Sequence, residues 1–215
     1  MTVNRRNAMI LTAGASLVSL AGFSPSFAAE GDTYDIAKIM APKGMVDRPI
    51  GGTDTKVTVI EYASPTCSHC AAFAINVYPG LKEQYIDTGK ITFIMRPFVR
   101  NVLDAVVFML AETADDNDTY ASIVHTFFET QNQWAVSDKP RDALLAIALQ
   151  LGFTEESFEA ALTNQDLFAG METLRTQALE EFDLTGTPTF YINGKQSSGE
   201  KSLEDLSAEI DPQLG

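Results

Sequence analysis

The chain has little with which to staple or chelate itself. Its 215 residues include two cysteines, two histidines and one tryptophan. One intramolecular disulfide at most can form, so a disulfide-dense scaffold is excluded, and a structural zinc site of four Cys or His ligands would consume the whole supply. Basic residues are scarce as well: Lys+Arg number 15 against Asp+Glu 29, a net charge of −14. Such a chain lacks the electrostatic footprint of a nucleic-acid binder, and no nucleic-acid partner is expected. Internal repeats and low-complexity tracts are missing too. What remains, 45% hydrophobic and 20% charged, can bury one respectable core with an insert.

The first thirty residues, "MTVNRRNAMILTAGASLVSLAGFSPSFAAE", are organised differently from the rest. Arg5 and Arg6 form a basic start with no acid before residue 29, an apolar and small-residue stretch runs over 8–23, and Ser26 and Ala28 stand three before and one before a cut. This predicts a cleaved export signal over 1–28. A retained membrane anchor is the competing reading, but the stretch is broken by Thr, Ser and Gly and ends in a cleavage pattern rather than a basic flank. The general secretory and twin-arginine routes both stay open, because Ala8 stands where the latter usually has a bulky apolar residue. No cysteine follows the stretch to accept a lipid.

Both cysteines lie in "ASPTCSHCAAF", residues 63–73, with two residues between them. Cys67 and Cys70 close almost no loop, so a disulfide between them would constrain the unfolded chain little and is a poor staple. As a metal clamp the pair could add only His69 and His125. The flanks favour a redox couple. "KVTVIEYAS" at 56–64 reads as a buried strand, and "AAFAINVYPGLKEQYIDTGK" after Cys70 carries Phe73, Val77, Leu81 and Tyr85 at helical spacing. Cys67 would then sit at a helix N-terminus, where free N–H groups and the macrodipole favour thiolate over thiol. Cys70 would lie one turn further in.

"VIEYASPTCSHC" resembles the active-site segment of the DsbA family of periplasmic thiol:disulfide oxidoreductases, within the thioredoxin superfamily. The resemblance implies Cys67 as an exposed nucleophile and Cys70 as the resolving thiol. It implies that the positive character of His69 stabilises the thiolate, so that replacing His69 raises the Cys67 pKa, and that Glu61 is a buried acid beside the couple. A second segment, "FDLTGTPTFYINGKQSSG" at 182–199, matches the family's cis-proline region with Pro188, and implies that Thr187 offers its backbone to substrate as an added strand edge. Ser68 completes the substrate-facing set. No cofactor beyond the redox-active disulfide and no metal is implied; the partners implied are reduced exported proteins and a membrane reoxidant of the DsbB type, in the periplasm.

The fold this implies is α/β: a thioredoxin-like fold with a central mixed β-sheet and an inserted α-helical domain. Its expected parts are an export signal at 1–28, an N-terminal extension at 29–53, the thioredoxin-like domain at 54–100 and 183–215, and the helical insert at 101–182. Within the insert, Tyr120, Ile123, Val124, Phe127 and Phe128 make one apolar face; Leu144, Leu145, Ala148 and Leu151 make another, stopped by Gly152. Thr154 is placed to cap a third helix, and Leu167, Met171, Leu174, Ala178 and Phe182 stripe a fourth. His125 and Trp134 read as packing, and Asp115, Asp116 and Asp118 as a solvated loop. Two departures from the family matter: Ser68-His69 replaces the usual Pro-His, which leaves the redox poise open, and 29–53 is too short for the dimerisation domain of the DsbC and DsbG isomerases, so a monomer is expected. The leading activity is dithiol oxidase, with a reductase or isomerase on the same scaffold as the alternative and a thiolate metal-binding module as the remoter one.

Overall fold

Runs of β-branched and aromatic residues set the sheet. The computed structural model describes residues 31–215; the export signal expected over 1–28 lies outside the described residues. Five strands, β1 (Pro49–Gly51), β2 (Val57–Ala63), β3 (Ile91–Pro97), β4 (Thr189–Ile192) and β5 (Lys195–Ser198), lie in the order β1-β3-β2-β4-β5. The central pair, β2 and β3, is parallel and in register from Val57↔Ile91 to Ala63↔Pro97. Both faces are covered, which is why these strands read as near-continuous apolar runs. β4 runs antiparallel to β2 with Tyr62 opposite Thr189, and β5 antiparallel to β4. Between β4 and β5, Asn193 and Gly194 take φ of 48° and 88°, the left-handed pair that an Asn-Gly hairpin needs. A side chain at Gly194 is also barred by space, since its Cβ would lie 2.4 Å from the Tyr34 carbonyl oxygen.

The segment expected as a mere extension belongs to the sheet. β1 pairs antiparallel with β3, and at the opposite edge Gly31 donates to the Gln196 carbonyl at 3.1 Å while Gln196 donates back to Asp32 at 2.7 Å. The segment thus supplies one edge strand of the sheet and lies along part of the other edge, and the edge it supplies is short, which limits it as a template for pairing with other chains. Pro49-Ile50-Gly51 is too short and too rich in strand breakers to be read as a strand, and Pro is tolerated there because β1 is an edge.

One helix was expected after Cys70; the chain instead makes α2 (Ser68–Asn76), α3 (Tyr78–Leu81) and a π-helical turn at Lys82–Ile86, following α1 (Ile36–Ile39). Pro79 is the physical reason: it has no N–H to continue the ladder. Phe73, Leu81 and Tyr85 are nonetheless all buried. The insert holds six helices where four stripes were visible: α4 (Val102–Ala111), α5 (Asn117–Glu129), α6 (Gln131–Trp134), α7 (Pro140–Gln150), α8 (Glu155–Leu162) and α9 (Gln165–Glu181). Side chains cap most of them. Asn101 caps α4, Asp116 of the acidic run caps α5, and Thr154 caps α8 in a reciprocal box with Ser157. A final helix, α10 (Leu203–Leu214), is boxed by Ser202 and Asp205. Trp134 is fully buried with its indole N–H on the Phe127 carbonyl at 2.9 Å, and His125 stacks on Tyr78 with ring centroids 4.2 Å apart.

Alternation along β2 and β3 divides the core. Val59 and Phe93 face Phe73, Phe108 and Phe127 on one side; Ile60, Tyr62 and Ile94 face Leu174, Ala178 and Phe182 on the other. On the second side Arg96, 1% exposed, is held by both carboxylate oxygens of Asp47 at 2.7 Å, by the Tyr62 hydroxyl at 2.9 Å and by the Ile39 carbonyl at 2.7 Å. Removing one partner of a buried pair strands the other charge. Asp47→Ala is therefore expected to lower the unfolding free energy by about 3 kcal/mol in urea titration; a loss under about 1 kcal/mol would show that Arg96 finds other compensation.

Candidate active site

β2 ends at Ala63, and the chain turns through residues 64–67 into α2, with Cys67 as the extended N-cap residue at φ −85°, ψ 121°. Its backbone N–H donates to the Ser64 carbonyl at 2.9 Å, and its carbonyl accepts the Ala71 N–H at 3.1 Å. This places the sulfur at the open, positive end of α2. The register of β4 brings the second segment here: Thr189 faces Tyr62, so the preceding Pro188 falls beside Ala63 and the turn. The Thr187–Pro188 bond is cis, and the Cys67 thiol donates to the Thr187 carbonyl at 3.2 Å.

The two sulfurs are unpaired and unequal. Cys67 keeps 5% of its surface and Cys70 none. The Cys67 pKa is lowered from 9.0 to about 5, first by the Cys70 thiol as donor, against burial, and then by the Thr187 hydroxyl and the backbone N–H groups of Cys70 and His69. That hydroxyl is buried and has no hydrogen-bond partner of its own, so it is free to turn to a thiolate. Cys70 moves the opposite way, its pKa raised by burial, by its bond to Cys67 and by the charges of Glu61 and Cys67. Such an arrangement can present one sulfur as an anion and hold the other protonated behind it.

The sequence profile described as thioredoxin matches residues 42–212. The chain belongs to the thioredoxin family. Within it the chain is DsbA-like. The alpha-DsbA1 protein of Wolbachia pipientis superposes with a TM-score of 0.75 at 26% identity, covering 79% of this chain and 91% of that one. BdbD of Bacillus subtilis, at 18% identity and TM-score 0.69, covers 86% of this chain and 97% of its own and shares the fold. A protein-disulfide oxidoreductase by name from Rickettsia bellii is 32% identical over 165 residues, 77% of this chain and 63% of the relative. The chain thus spans a little under two thirds of the length of that relative.

In this thioredoxin-family site Cys67, Cys70, Glu61, Thr187 and Pro188 are brought together, with Ser68 exposed at the first position of α2. Two expectations need correction. Cys67 is nearly covered rather than openly exposed. The His69 imidazole is turned to Glu200, with Nδ1 3.0 Å from Oε2 and both side chains more than half exposed, so what His69 brings to the sulfur is its backbone N–H. Glu200 lies 131 residues away, beyond any local pattern. Missed entirely were Ser64 within the turn and Arg100, Asp104 and Gln131 around it.

Glu61 is 2% exposed, and its Oε1 has no hydrogen-bond partner. Burial first, and the Cys67 charge second, push its pKa from 4.5 up to about 8. An acid raised in the fold stabilises fully below its unfolded pKa and loses that contribution as pH rises through its folded one. Wild-type stability should therefore fall between about pH 4.5 and 8, and Glu61→Gln should remove that slope and be the more stable protein above pH 8. Parallel pH slopes for the two proteins in urea titrations would refute a buried, neutral Glu61.

Proposed function

We propose that this chain is a dithiol oxidase for exported proteins, acting through the Cys67 and Cys70 couple. The observation that carries the reading is the placement of the two sulfurs: Cys67 caps α2 with its thiol 3.2 Å from the Thr187 carbonyl and its pKa lowered to about 5, while Cys70 is wholly buried behind it with its pKa raised. A low pKa makes Cys67 a good leaving group, and stabilising the thiolate stabilises the reduced protein, which is what makes its disulfide oxidising. The names of the relatives support the same chemistry.

The electrons balance as follows. A substrate thiolate attacks Sγ of Cys67 in the disulfide form; the bond between Cys67 and Cys70 breaks, and Cys70 leaves and takes up a proton, which the buried, protonated Glu61 carboxyl can supply and later regain from solvent. A second substrate thiolate then attacks the substrate sulfur of the mixed disulfide, and Cys67 leaves as a thiolate. The substrate loses two electrons, and the couple gains them. Substrates are reduced proteins outside the cytoplasm; a membrane oxidant of the DsbB type returns the couple to the disulfide. The periplasmic location rests on the signal pattern at 1–28, and the working unit is a monomer with no further cofactor.

The deciding measurement is the reduction potential of the couple in glutathione buffers. A value above about −180 mV is expected, whereas one near −270 mV would overturn the oxidase reading in favour of a reductase. The reduced form should also melt above the disulfide form near neutral pH. A pKa depressed in the fold contributes stability that is complete above the unfolded value and lost as pH falls to the folded one, so this margin should shrink steadily as pH drops from about 9 and be gone below about 5. A margin independent of pH would sink the thiolate as its source.

A further inference from the structure

Side chains of the helical insert reach back to the turn that carries Cys67. Gln131, the first residue of α6, donates from Nε2 to the carbonyl of Pro65 at 2.7 Å and to that of Cys67 at 2.9 Å. Asp104, fully buried in the first turn of α4, accepts the Thr66 N–H at 2.7 Å, the Ser64 hydroxyl at 2.9 Å and the Arg100 N–H at 2.9 Å. Arg100 and Asn101 complete this side: the Arg100 guanidinium donates to Ser64 Oγ at 2.8 Å and to Thr66 Oγ1 at 3.1 Å, and the Asn101 amide to Thr66 Oγ1 at 2.8 Å. Every residue of the turn, 64–67, is thus bound by the insert or its entry.

The two contacts divide the work. Asp104 fixes the N–H side of the turn, and Gln131 the carbonyl side. The Cys67 carbonyl is also the acceptor for Ala71, so its direction is coupled to the first turn of α2, whose N–H groups meet the sulfur. An amide hydrogen on the Pro65 and Cys67 carbonyls offsets two negative dipole ends next to a sulfur that carries charge. We propose that Gln131 and Asp104 are positioning residues of the redox centre: by clamping the turn from the helical insert, they set how strongly the disulfide between Cys67 and Cys70 oxidises a dithiol. The proposal rests on reading Cys67 and Cys70 as the working couple. The titratable and charged groups around Cys67 are Cys70 and His69 on α2, Glu61 on β2, and Arg100 with Asp104 behind the turn. Gln131 is neutral, so substituting it by Leu changes the clamp without changing the charge.

The test compares the full chain carrying Gln131→Leu or Gln131→Lys with the wild type. The readouts are the ultraviolet titration of the Cys67 thiolate, with Cys67→Ser as the blank, and the equilibrium constant with glutathione. Losing both donated bonds should raise the Cys67 midpoint and weaken glutathione oxidation about three- to tenfold. Gln131→Lys restores a donor and adds a cation, and should return both readouts to the wild-type values or beyond. If the Leu variant melts lower yet titrates like the wild type, or if Leu and Lys shift the midpoint alike, the clamp is only structural and the proposal fails. The midpoint is read whether or not exchange runs, so an inert wild type would sink the oxidase reading without deciding the clamp.

Discussion

A sulfur held as an anion where water hardly reaches needs donors around it, and the junction of β2 with α2 is built to supply them. The largest cause of the low Cys67 pKa is the Cys70 thiol, and one cause of the high Cys70 pKa is that same bond. These are one interaction seen from its two ends. It works only while Cys70 stays protonated, and burial together with the charge on Cys67 secures that. Glu61 in turn is raised by burial and by the Cys67 charge, so the carboxyl is neutral at neutral pH when the thiolate is present. The site tolerates one negative charge and arranges for the other two groups to keep their protons.

The sheet makes this possible by bringing distant segments into register. Thr187 lies 120 residues from Cys67, yet the antiparallel pairing of β4 with β2 sets its carbonyl 3.2 Å from the sulfur. Pairing of β2 with β3 on one side and β4 on the other seats Glu61 between Met95 and Phe190, where the carboxyl is buried and Oε1 has no protein donor. On the opposite face, Arg96 fastens the loop carrying Asp47 and the end of α1 to β3. Burial that perturbs an acid on one side of the sheet is matched by a fully paired cation on the other.

What the sequence discloses follows the range of the interaction. The strand, the turn and the first helix turn around Cys67 were legible, because β-branched density and helical spacing are local signals. Pro188 was marked by the resemblance of its segment to the family's proline region, whereas the local pattern alone read it as the opening of an edge strand. The stripe of Phe73, Val77, Leu81 and Tyr85 marked a face that is buried except at the half-buried Val77, but it could not show that Pro79 divides the helix, since periodicity survives a break. α6 has four residues, shorter than any window in which a period can be seen. His69 could be assigned to the first turn, whereas the direction of its ring depends on Glu200, far away in the chain. Gln131 had no signal at all, because its partners are carbonyls 64 and 66 residues earlier.

Helices α4 to α9 lie between β3 and β4 in the chain, and physical coupling runs between them and the sheet. Arg100, Asn101 and Asp104 hold the turn from the entry to α4, Gln131 holds it from α6, and the apolar face of α5 shares its core with α2 and the sheet. Opening the insert would expose that core and release the turn in the same event, so folding and redox chemistry draw on one cooperative unit. A chain with no second disulfide to stiffen the insert must obtain the rigidity of its sulfur from hydrogen bonds and packing. Asp104 and Gln131 are where that rigidity reaches the reacting atom's backbone.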